Sequence, residues 1–205
     1  MIVIGLTGGI ASGKSLISAE LAGLGAVILD GDLIAREIVA PGSQALREIS
    51  EAFGPEYLDE SGALRRGALG ELVFREPEKL RLLNGITHPL IRRELAARVE
   101  AARAAGEKAV ILDVPLLFES GMADLADRVW VVALSEEKQK KRLMARDGVD
   151  EAAAVSRIGS QMPLEEKLKK ADAVIDNNGP AEDTLKQARR LWRKTIAEAT
   201  ENHDE

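Results

Sequence analysis

Five short apolar runs without alternation divide the chain, at residues 2–6, 26–29, 109–112, 129–134 and 173–175. Continuous runs rich in Val and Ile are typical of strands that are buried on both faces of a parallel sheet. Because longer stretches with helical periodicity separate the runs, the pattern predicts βαβ units and an α/β fold with five parallel strands.

The stretch between the second and third strands, residues 31–108, is too long for one crossover helix. Four breakers divide it: Pro41-Gly42, Gly54-Pro55, Gly62 and Pro77. Residues 90–105 place Leu90, Ile91, Leu95 and Val99 on one side and predict a helix, for which Pro89 suggests the start. We expect a helical insertion that is suited to binding a substrate.

A second segment, residues 135–170, is strongly charged and predicted to be helical, with Ser135 as the N-terminal cap. Five basic residues and no acidic one occur between Lys138 and Arg146. This run has two interpretations. It is a solvated helix face, or it belongs to a mobile flap that closes on phosphates.

The composition excludes several classes of protein. The 205 residues suit one domain, and 45% hydrophobic with 30% charged residues is typical of a soluble globular protein. The net charge of −6 disfavours a general nucleic-acid-binding protein. With no Cys and two His, disulfides, a thiolate zinc site, a cysteine nucleophile and a histidine metal cluster are excluded. No apolar run reaches the roughly 20 residues that span a bilayer, so we expect a cytoplasmic protein without a membrane partner.

The motif that carries chemistry is residues 8–15, which match the phosphate-loop pattern G-x-x-x-x-G-K-[ST] between a predicted strand and a predicted helix at 16–21. Its glycines allow backbone N–H groups to converge on a phosphate, and the helix adds its positive dipole end. Lys14 suits the β and γ phosphates, and the Ser15 hydroxyl suits Mg²⁺. The alternative is a glycine-rich turn with an exposed lysine.

Carboxylates follow two of the predicted strands, at the sheet edge where α/β proteins bind ligands. Asp32 could accept the proton of an alcohol in phosphoryl transfer, or it could cap a helix that begins at Leu33, and the sequence leaves both open. Asp113 resembles a Walker-B carboxylate that holds Mg²⁺ through water, or it is a turn residue.

His88 and Glu119 are not singled out by the sequence, because a lone His is more often structural and Glu119 could be a surface cap.

Seven segments together resemble the dephospho-CoA kinase family. They are residues 6–15, 29–32, 86–89, 112–119, 139–142, 157–161 and 174–179, and they occur in the family's order over nearly the whole chain. The resemblance implies that ATP phosphorylates the 3′-hydroxyl of the dephospho-CoA ribose, with Mg²⁺ as cofactor. It implies a three-layer P-loop NTPase fold and a single P-loop kinase domain over 1–205. That domain has a five-stranded parallel sheet, a helical CoA-binding insertion within 31–108 and a helical lid at 135–170.

The resemblance also implies roles for individual residues, with Asp32 as catalytic base and Lys14 and Arg142 as catalytic cations. ATP would be bound by Gly8, Ala11, Ser12, Gly13, Lys14, Ser15, Leu16, Arg142 and Asn177, with Asn178 also near the adenine. Dephospho-CoA would be bound by Asp32, Arg66, His88, Pro115, Leu116 and Leu117. Mg²⁺ would be held by Ser15 directly and by Asp113, through water.

The chain departs from the family pattern at four positions. Ala11 stands where Gly is usual, Leu16 where Thr is usual, and Gly31 where Ala is usual. Arg65 stands where an acidic or amide residue usually precedes the position of Arg66. No departure removes a catalytic group, although Leu16 lacks a hydroxyl suited to the α phosphate and Arg65 changes the surroundings of a substrate contact.

Two rival functions are weighed against this prediction. A GTP-dependent switch protein lacks support because no Asn-Lys-x-Asp segment is present. Another P-loop small-molecule or nucleoside monophosphate kinase differs only in its insertion. Although the whole chain has a net charge of −6, residues 65–103 carry a net charge of +4 and residues 135–170 a net charge of +2. Positive charge in these two segments suits the binding of small phosphorylated ligands. We expect no nucleic-acid partner and a monomer or small homo-oligomer.

Overall fold

The computed structural model describes residues 1–201. Its five strands form one parallel sheet in the order β2-β3-β1-β4-β5. They are β1 (Ile2–Gly8), β2 (Val27–Asp30), β3 (Ala109–Asp113), β4 (Arg128–Ala133) and β5 (Ala173–Asp176). All five predicted strands are confirmed, with ends that differ by at most two residues.

The helices of the described chain are α1 (Lys14–Gly23), α2 (Gly31–Glu37), α3 (Gln44–Phe53), α4 (Arg66–Arg75), α5 (Pro77–Ala104), α6 (Glu136–Asp147), α7 (Glu151–Gly159), α8 (Leu164–Lys169) and α9 (Ala181–Glu201). Short 3₁₀ turns lie at Pro55–Tyr57 and Ala123–Leu125. Within residues 1–201, every helix is too short or too polar to cross a lipid bilayer. The chain divides into two compact units, one formed by Met1–Leu29 with the chain from Arg98 onward, the other by Asp30–Ala97.

The core of the first unit lies between the sheet and two helices. Alternate residues of β1 and β4 point to one face, where they pack against α1 and α9. The core side chains on this face include Ile4, Leu6, Trp130 and Val132 from the strands and Ile17, Leu21, Ala188 and Trp192 from the helices. On the other face of β1, Gly5 leaves room for the side chain of Leu117, whose Cδ2 lies 2.6 Å from the position a Cβ would take.

The second unit has a separate apolar core between α3 and α4. Ala45, Ile49 and Phe53 of α3 pack with Leu69 and Val73 of α4. The spacing of the α3 residues is that of one helix face, which explains why this helix buries a single side. The unit therefore has an apolar core of its own.

The expected helix start at Pro89 is wrong, because Pro89 lies inside α5. Pro89 has no N–H group to donate to the carbonyl of Gly85, one turn earlier. In the same turn, the Thr87 hydroxyl donates to the Leu83 carbonyl at 2.9 Å. The helix thus continues through the proline, and the tertiary fold overrides the local stop signal.

Strand register brings the carboxyl ends of the strands to one edge of the sheet. Leu6 of β1 pairs with Asp113 of β3, and Gly8 of β1 pairs with Val132 of β4. Ala133 of β4 in turn pairs with Asp176 of β5. The phosphate loop, the end of β3 and the end of β5 are neighbours for this reason, although they are far apart in sequence.

The helical face of the first core can be tested at α1. Leu21 is fully buried between sheet and helices, whereas Leu24, at the end of the same helix, is 39% exposed. We expect Leu21→Ala to lower the free energy of unfolding by about 2–5 kcal/mol, because it removes buried methyl groups and leaves a cavity. Leu24→Ala should cost less than half as much. Urea unfolding followed by circular dichroism measures both, and equal losses would contradict the packing described.

Candidate active site

The phosphate loop, residues 9–13 between β1 and α1, has the backbone of an anion cradle. Ala11 and Gly13 have positive φ angles of 58° and 89°, and Ser12 N–H donates to the Gly9 carbonyl at 3.0 Å. Left-handed residues in a turn direct successive N–H groups toward one concavity. The Ser12 hydroxyl oxygen is buried and has no hydrogen-bond partner in the described chain. A phosphate oxygen would supply the missing partner, so the cradle fits a nucleotide.

The departure at Ala11 has a structural cost. A residue with a Cβ at φ near +60° is strained by about 1–2 kcal/mol, which Gly would avoid. The loop nevertheless takes the left-handed conformation at Ala11. The conformation at this position is therefore kept at the cost of backbone strain.

The structure brings together the two charged residues predicted to lie beside the phosphates. The Lys14 ammonium donates to Oδ1 of Asp113, and both side chains are largely buried. Leu6 and Asp113 are paired residues of adjacent strands, which places the carboxylate next to the start of the loop. The charge of each residue is offset by the other where water is scarce.

Asn177, immediately after β5, holds the phosphate loop from the opposite side. Its Nδ2 donates to the Ser12 carbonyl at 2.7 Å, and its Oδ1 accepts from the Thr184 hydroxyl at 2.8 Å. The residue is buried. A Cβ at Gly13 would lie 2.3 Å from this Nδ2, so only Gly allows the approach. The side-chain amide, predicted to lie near adenine, is thus already engaged by the loop and α9.

Helix α6 covers the loop with two side chains that lie one turn apart. The position of a Gly9 Cβ would be 2.8 Å from Oε1 of Gln139, whose Nε2 donates to the Leu134 carbonyl at 2.8 Å. A Gly13 Cβ would be 3.4 Å from Nη1 of Arg142. The spacing of three residues puts Gln139 and Arg142 on one helix face. Arg142 therefore lies where it can reach a nucleotide phosphate.

The basic residues of α6 have different surroundings, and the prediction of a mobile flap stays a prediction. Lys140 and Lys141 form ion pairs with Glu151 and Glu137, and Arg146 pairs with Asp147. The hydrogen bond from Lys141 lowers the pKa of the Glu137 carboxyl. These three cations form a solvated, paired face, whereas Arg142 points to the loop.

The expected cap of α6 differs from its observed form. Ser135 occupies the N-cap position, but its side chain makes no capping hydrogen bond. Instead its N–H donates to Oδ1 of Asn178 at 3.0 Å, and the Lys138 ammonium donates to the Asn178 carbonyl. The start of α6 is thus joined to the segment after β5.

The segment after α7 also contacts the phosphate loop. Oε1 of Gln161 accepts a hydrogen bond from Ile10 N–H at 2.7 Å. The loop is thereby held at Ile10 by Gln161 and at Ser12 by Asn177, two residues that come from the last third of the chain. These two hydrogen bonds hold the loop in its cradle conformation.

The segment after β3, predicted to bind the acceptor, is exposed to different degrees. The Leu116 side chain is 42% exposed, whereas Leu117 is fully buried against β1. The Pro115 carbonyl accepts from the Thr7 hydroxyl at 2.9 Å. Leu116 can therefore meet a ligand through its side chain, whereas Leu117 is fully buried and its carbonyl accepts from Met122 N–H at 3.0 Å.

In the second unit, the helix cap falls on Asp30. Helix α2 begins at Gly31, and the Asp30 carboxylate accepts from the N–H groups of Asp32 and Leu33 at 2.8 and 3.1 Å. The alternative role of Asp32 as the cap is therefore wrong. Asp32 lies in the first turn and is exposed, so its carboxylate is available for chemistry.

Two further predicted substrate residues lie in this unit. Arg66, at the start of α4, is exposed and donates from Nη2 to the Arg36 carbonyl at 2.9 Å. The neighbouring Arg65 donates instead to the Glu56 carbonyl at 3.3 Å. His88 is half-buried in α5, and burial lowers its pKa. Burial therefore favours the neutral form of the His88 imidazole.

Comparison with known proteins decides between the kinases that share this loop. A family model described as dephospho-CoA kinase matches residues 2–183. A dephospho-CoA kinase of Carboxydothermus hydrogenoformans is 48% identical over 192 residues, which cover 94% of this chain and 93% of the relative. The chain belongs to the dephospho-CoA kinase family. Membership makes it an ATP-dependent kinase.

Solved structures agree with the family. A protein of Thermus thermophilus aligns with a TM-score of 0.79 at 36% identity, covering 96% of this chain and 97% of the other. The dephospho-CoA kinase of Campylobacter jejuni aligns with a TM-score of 0.71 at 30% identity, covering 95% and 97%. The predicted P-loop NTPase fold is confirmed.

The sequence patterns did not place three contacting residues in the site, namely Gln139, Gln161 and the capping Asp30. Gln139 could have been found, because it precedes Arg142 by three residues on a helix. Gln161 carries no local signal, since its contact with Ile10 spans 151 positions of the chain. The capping role of Asp30 was missed because α2 begins at Gly31, two residues before the predicted start at Leu33.

The close approach at Gly13 gives a test of the cradle. We expect Gly13→Ala to weaken ATP binding by about tenfold or more, since a cost of about 1.4 kcal/mol suffices for that factor and the new Cβ is both strained and in contact with Asn177. Gly23→Ala is the matched control, because a Cβ there meets nothing within 4 Å. Calorimetric titration with ATP measures both variants. An unchanged affinity in Gly13→Ala would contradict the geometry of the loop.

Proposed function

We propose that this protein transfers the γ-phosphoryl group of ATP to the 3′-hydroxyl of the dephospho-CoA ribose, which gives coenzyme A and ADP. The observation that carries the proposal is the family match over residues 2–183, a range that contains the phosphate loop and the whole of the second unit. The preformed loop supports the donor half of the reaction. Family membership supports the choice of acceptor.

The donor side is assigned to the residues around the loop. The N–H groups of Ala11, Gly13, Lys14 and Ser15, the Ser12 hydroxyl and the N-terminus of α1 would bind the phosphates. Lys14 and Arg142 would stabilise the charge that develops on the transferring oxygens, a contribution that positioned cations make in phosphoryl transfer. Asn177 and Asn178 would lie near the adenine.

The residues present fit a magnesium ion that arrives with the nucleotide. Among the described residues, no three His, Asp or Glu side chains gather into a metal-binding group, so the protein would supply only part of the coordination. The exposed hydroxyl of Ser15 and the carboxylate of Asp113 are the proposed ligands, Asp113 through water. Mg²⁺ would neutralise charge on the β and γ phosphates.

The acceptor side is assigned to Asp32, Arg66, His88, Pro115 and Leu116, whereas the fully buried Leu117 packs beneath this segment against β1. Asp32 would accept a hydrogen bond from the ribose hydroxyl, orient its oxygen for in-line attack and take up its proton. Arg66 would offer its guanidinium to anionic groups of the substrate. The cytoplasmic location and the monomeric or small homo-oligomeric state stay predictions.

The acceptor is tested by measuring ADP release with dephospho-CoA, AMP, UMP and shikimate in parallel. We expect turnover with dephospho-CoA and only background hydrolysis with the others. Mass spectrometry of the product should show one added phosphate. Efficient turnover of AMP, UMP or shikimate, together with none of dephospho-CoA, would overturn the proposed function.

The role of Asp32 is tested by Asp32→Asn, which removes the proton acceptor and keeps the shape. We expect kcat to fall by about 10²–10⁴-fold, the usual contribution of a general base, with ATP affinity unchanged. Asp30→Asn is the matched control, because Asn also caps helices and should accept the bonds from Asp32 and Leu33. Near-normal turnover in Asp32→Asn would remove it as the base.

The role of His88 is tested by its titration, followed by NMR of the imidazole. In the free protein the midpoint should lie below the usual value near 6.5, because burial disfavours the charged ring. The native state should therefore lose stability as the pH falls below about 6.5, where the unfolded chain binds the proton more readily. Dephospho-CoA should raise the midpoint if the ring contacts its phosphates. An identical midpoint in the complex would exclude that contact.

A further inference from the structure

A buried ion pair lies beneath the segment proposed to bind the acceptor. Lys167 of α8 has a side chain that is 0% exposed, and its Nζ lies 2.8 Å from Oε1 of Glu119, whose side chain is 22% exposed. The same Nζ donates to the Pro115 carbonyl at 3.2 Å. Lysine is almost never fully buried without a partner, so the two acceptors account for its position.

Both acceptors of Lys167 have a second donor. Oε1 of Glu119 also accepts from Met162 N–H at 3.0 Å. The Pro115 carbonyl also accepts from the Thr7 hydroxyl at 2.9 Å, at the end of β1. The pair thus joins three parts of the first unit, namely residues 115–119, residues 162–167 and β1.

The same stretch of chain also fixes the phosphate loop. Gln161, six residues before Lys167, accepts from Ile10 N–H at 2.7 Å. Residues 161–167 therefore touch the proposed donor side through Gln161 and the proposed acceptor segment through Lys167. Buried ion pairs are often no more stabilising than apolar residues of equal volume, so stability alone does not explain the choice of charged groups here.

We propose that Lys167 and Glu119 are positioning residues of the kinase reaction. They hold the Pro115–Leu117 backbone in the conformation that receives dephospho-CoA, whereas Gln161 holds the loop that receives ATP. The inference rests on the proposed acceptor role of Pro115 and Leu116. It also bears on the predicted lid at 135–170, because its residues 161–167 are held by contacts with the phosphate loop and with residues 115–119.

The test uses the full chain with Lys167→Met combined with Glu119→Gln, which removes both charges and leaves Gln to accept from Met162. Calorimetry measures dephospho-CoA and ATP binding separately, and steady-state kinetics gives KM and kcat. We expect dephospho-CoA affinity to fall by about 10- to 100-fold, the scale of a small misplacement in a site, with ATP affinity within about twofold. Gln161→Leu should show the opposite pattern, with ATP affinity reduced and dephospho-CoA affinity kept.

Lys169→Met combined with Glu166→Gln is the matched control. This pair lies on the same helix with an N···O distance of 2.7 Å, but its side chains are 69% and 49% exposed. We expect it to change neither affinity. Circular dichroism confirms that each variant is folded. If the double variant does not fold, the single variant Glu119→Gln tests the positioning role, with the same expected loss of dephospho-CoA affinity.

Two results overturn the proposal. One is a folded Lys167–Glu119 variant that binds dephospho-CoA as the wild type does. The other is an equal loss of ATP and dephospho-CoA affinity, which indicates a purely structural pair. A wild-type protein that neither binds nor phosphorylates dephospho-CoA would instead overturn the proposed function itself, and would do so without any variant.

Discussion

The hydrogen bond from Asn177 Nδ2 to the Ser12 carbonyl is the constraint on which the site depends. The Ser12 carbonyl lies in the phosphate loop, outside regular helix and sheet, so its hydrogen-bond partner has to come from elsewhere in the chain. Asn177 supplies one from the end of β5, and Thr184 of α9 fixes the orientation of the amide. The short distance leaves no room for a side chain at position 13 and admits the Arg142 guanidinium beside it.

The parallel sheet explains why residues distant in sequence build one cradle. The strands end at the same edge, so Asp113, the loop after β1 and Asn177 meet there. The later segments complete it, with Arg142 from α6 and Gln161 from the turn after α7. Donors and charges that are fixed before the ligand arrives cost no reorganisation during the reaction, which is the main source of rate in phosphoryl transfer.

The sequence predicts the strands and the phosphate loop because these depend on local patterns. Apolar runs mark the buried strands, and the glycine-lysine-serine spacing marks the loop. Helix boundaries are less predictable, since the cap at Asp30 and the continuation through Pro89 are decided by tertiary packing. The sequence pattern does not distinguish Lys167 from Lys169. The structure does, because Lys167 is buried beneath residues 115–119 and Lys169 is exposed. The contacts of Asn177 and Gln161 cross more than 150 positions, so no local pattern contains them.

We expect the hydrogen bonds of Asn177 and Gln161 to shape the phosphate loop before nucleotide binds. Hydrogen exchange measured by NMR on the nucleotide-free protein tests this at the Ser12 amide, which donates to the Gly9 carbonyl. Exchange should be slow in the wild type and faster by about tenfold or more in Asn177→Leu, because opening of the loop then costs less. The amide of Ile111 in the sheet should not change. Equal rates at Ser12 in the two proteins, or an unprotected amide in the wild type, would contradict the account.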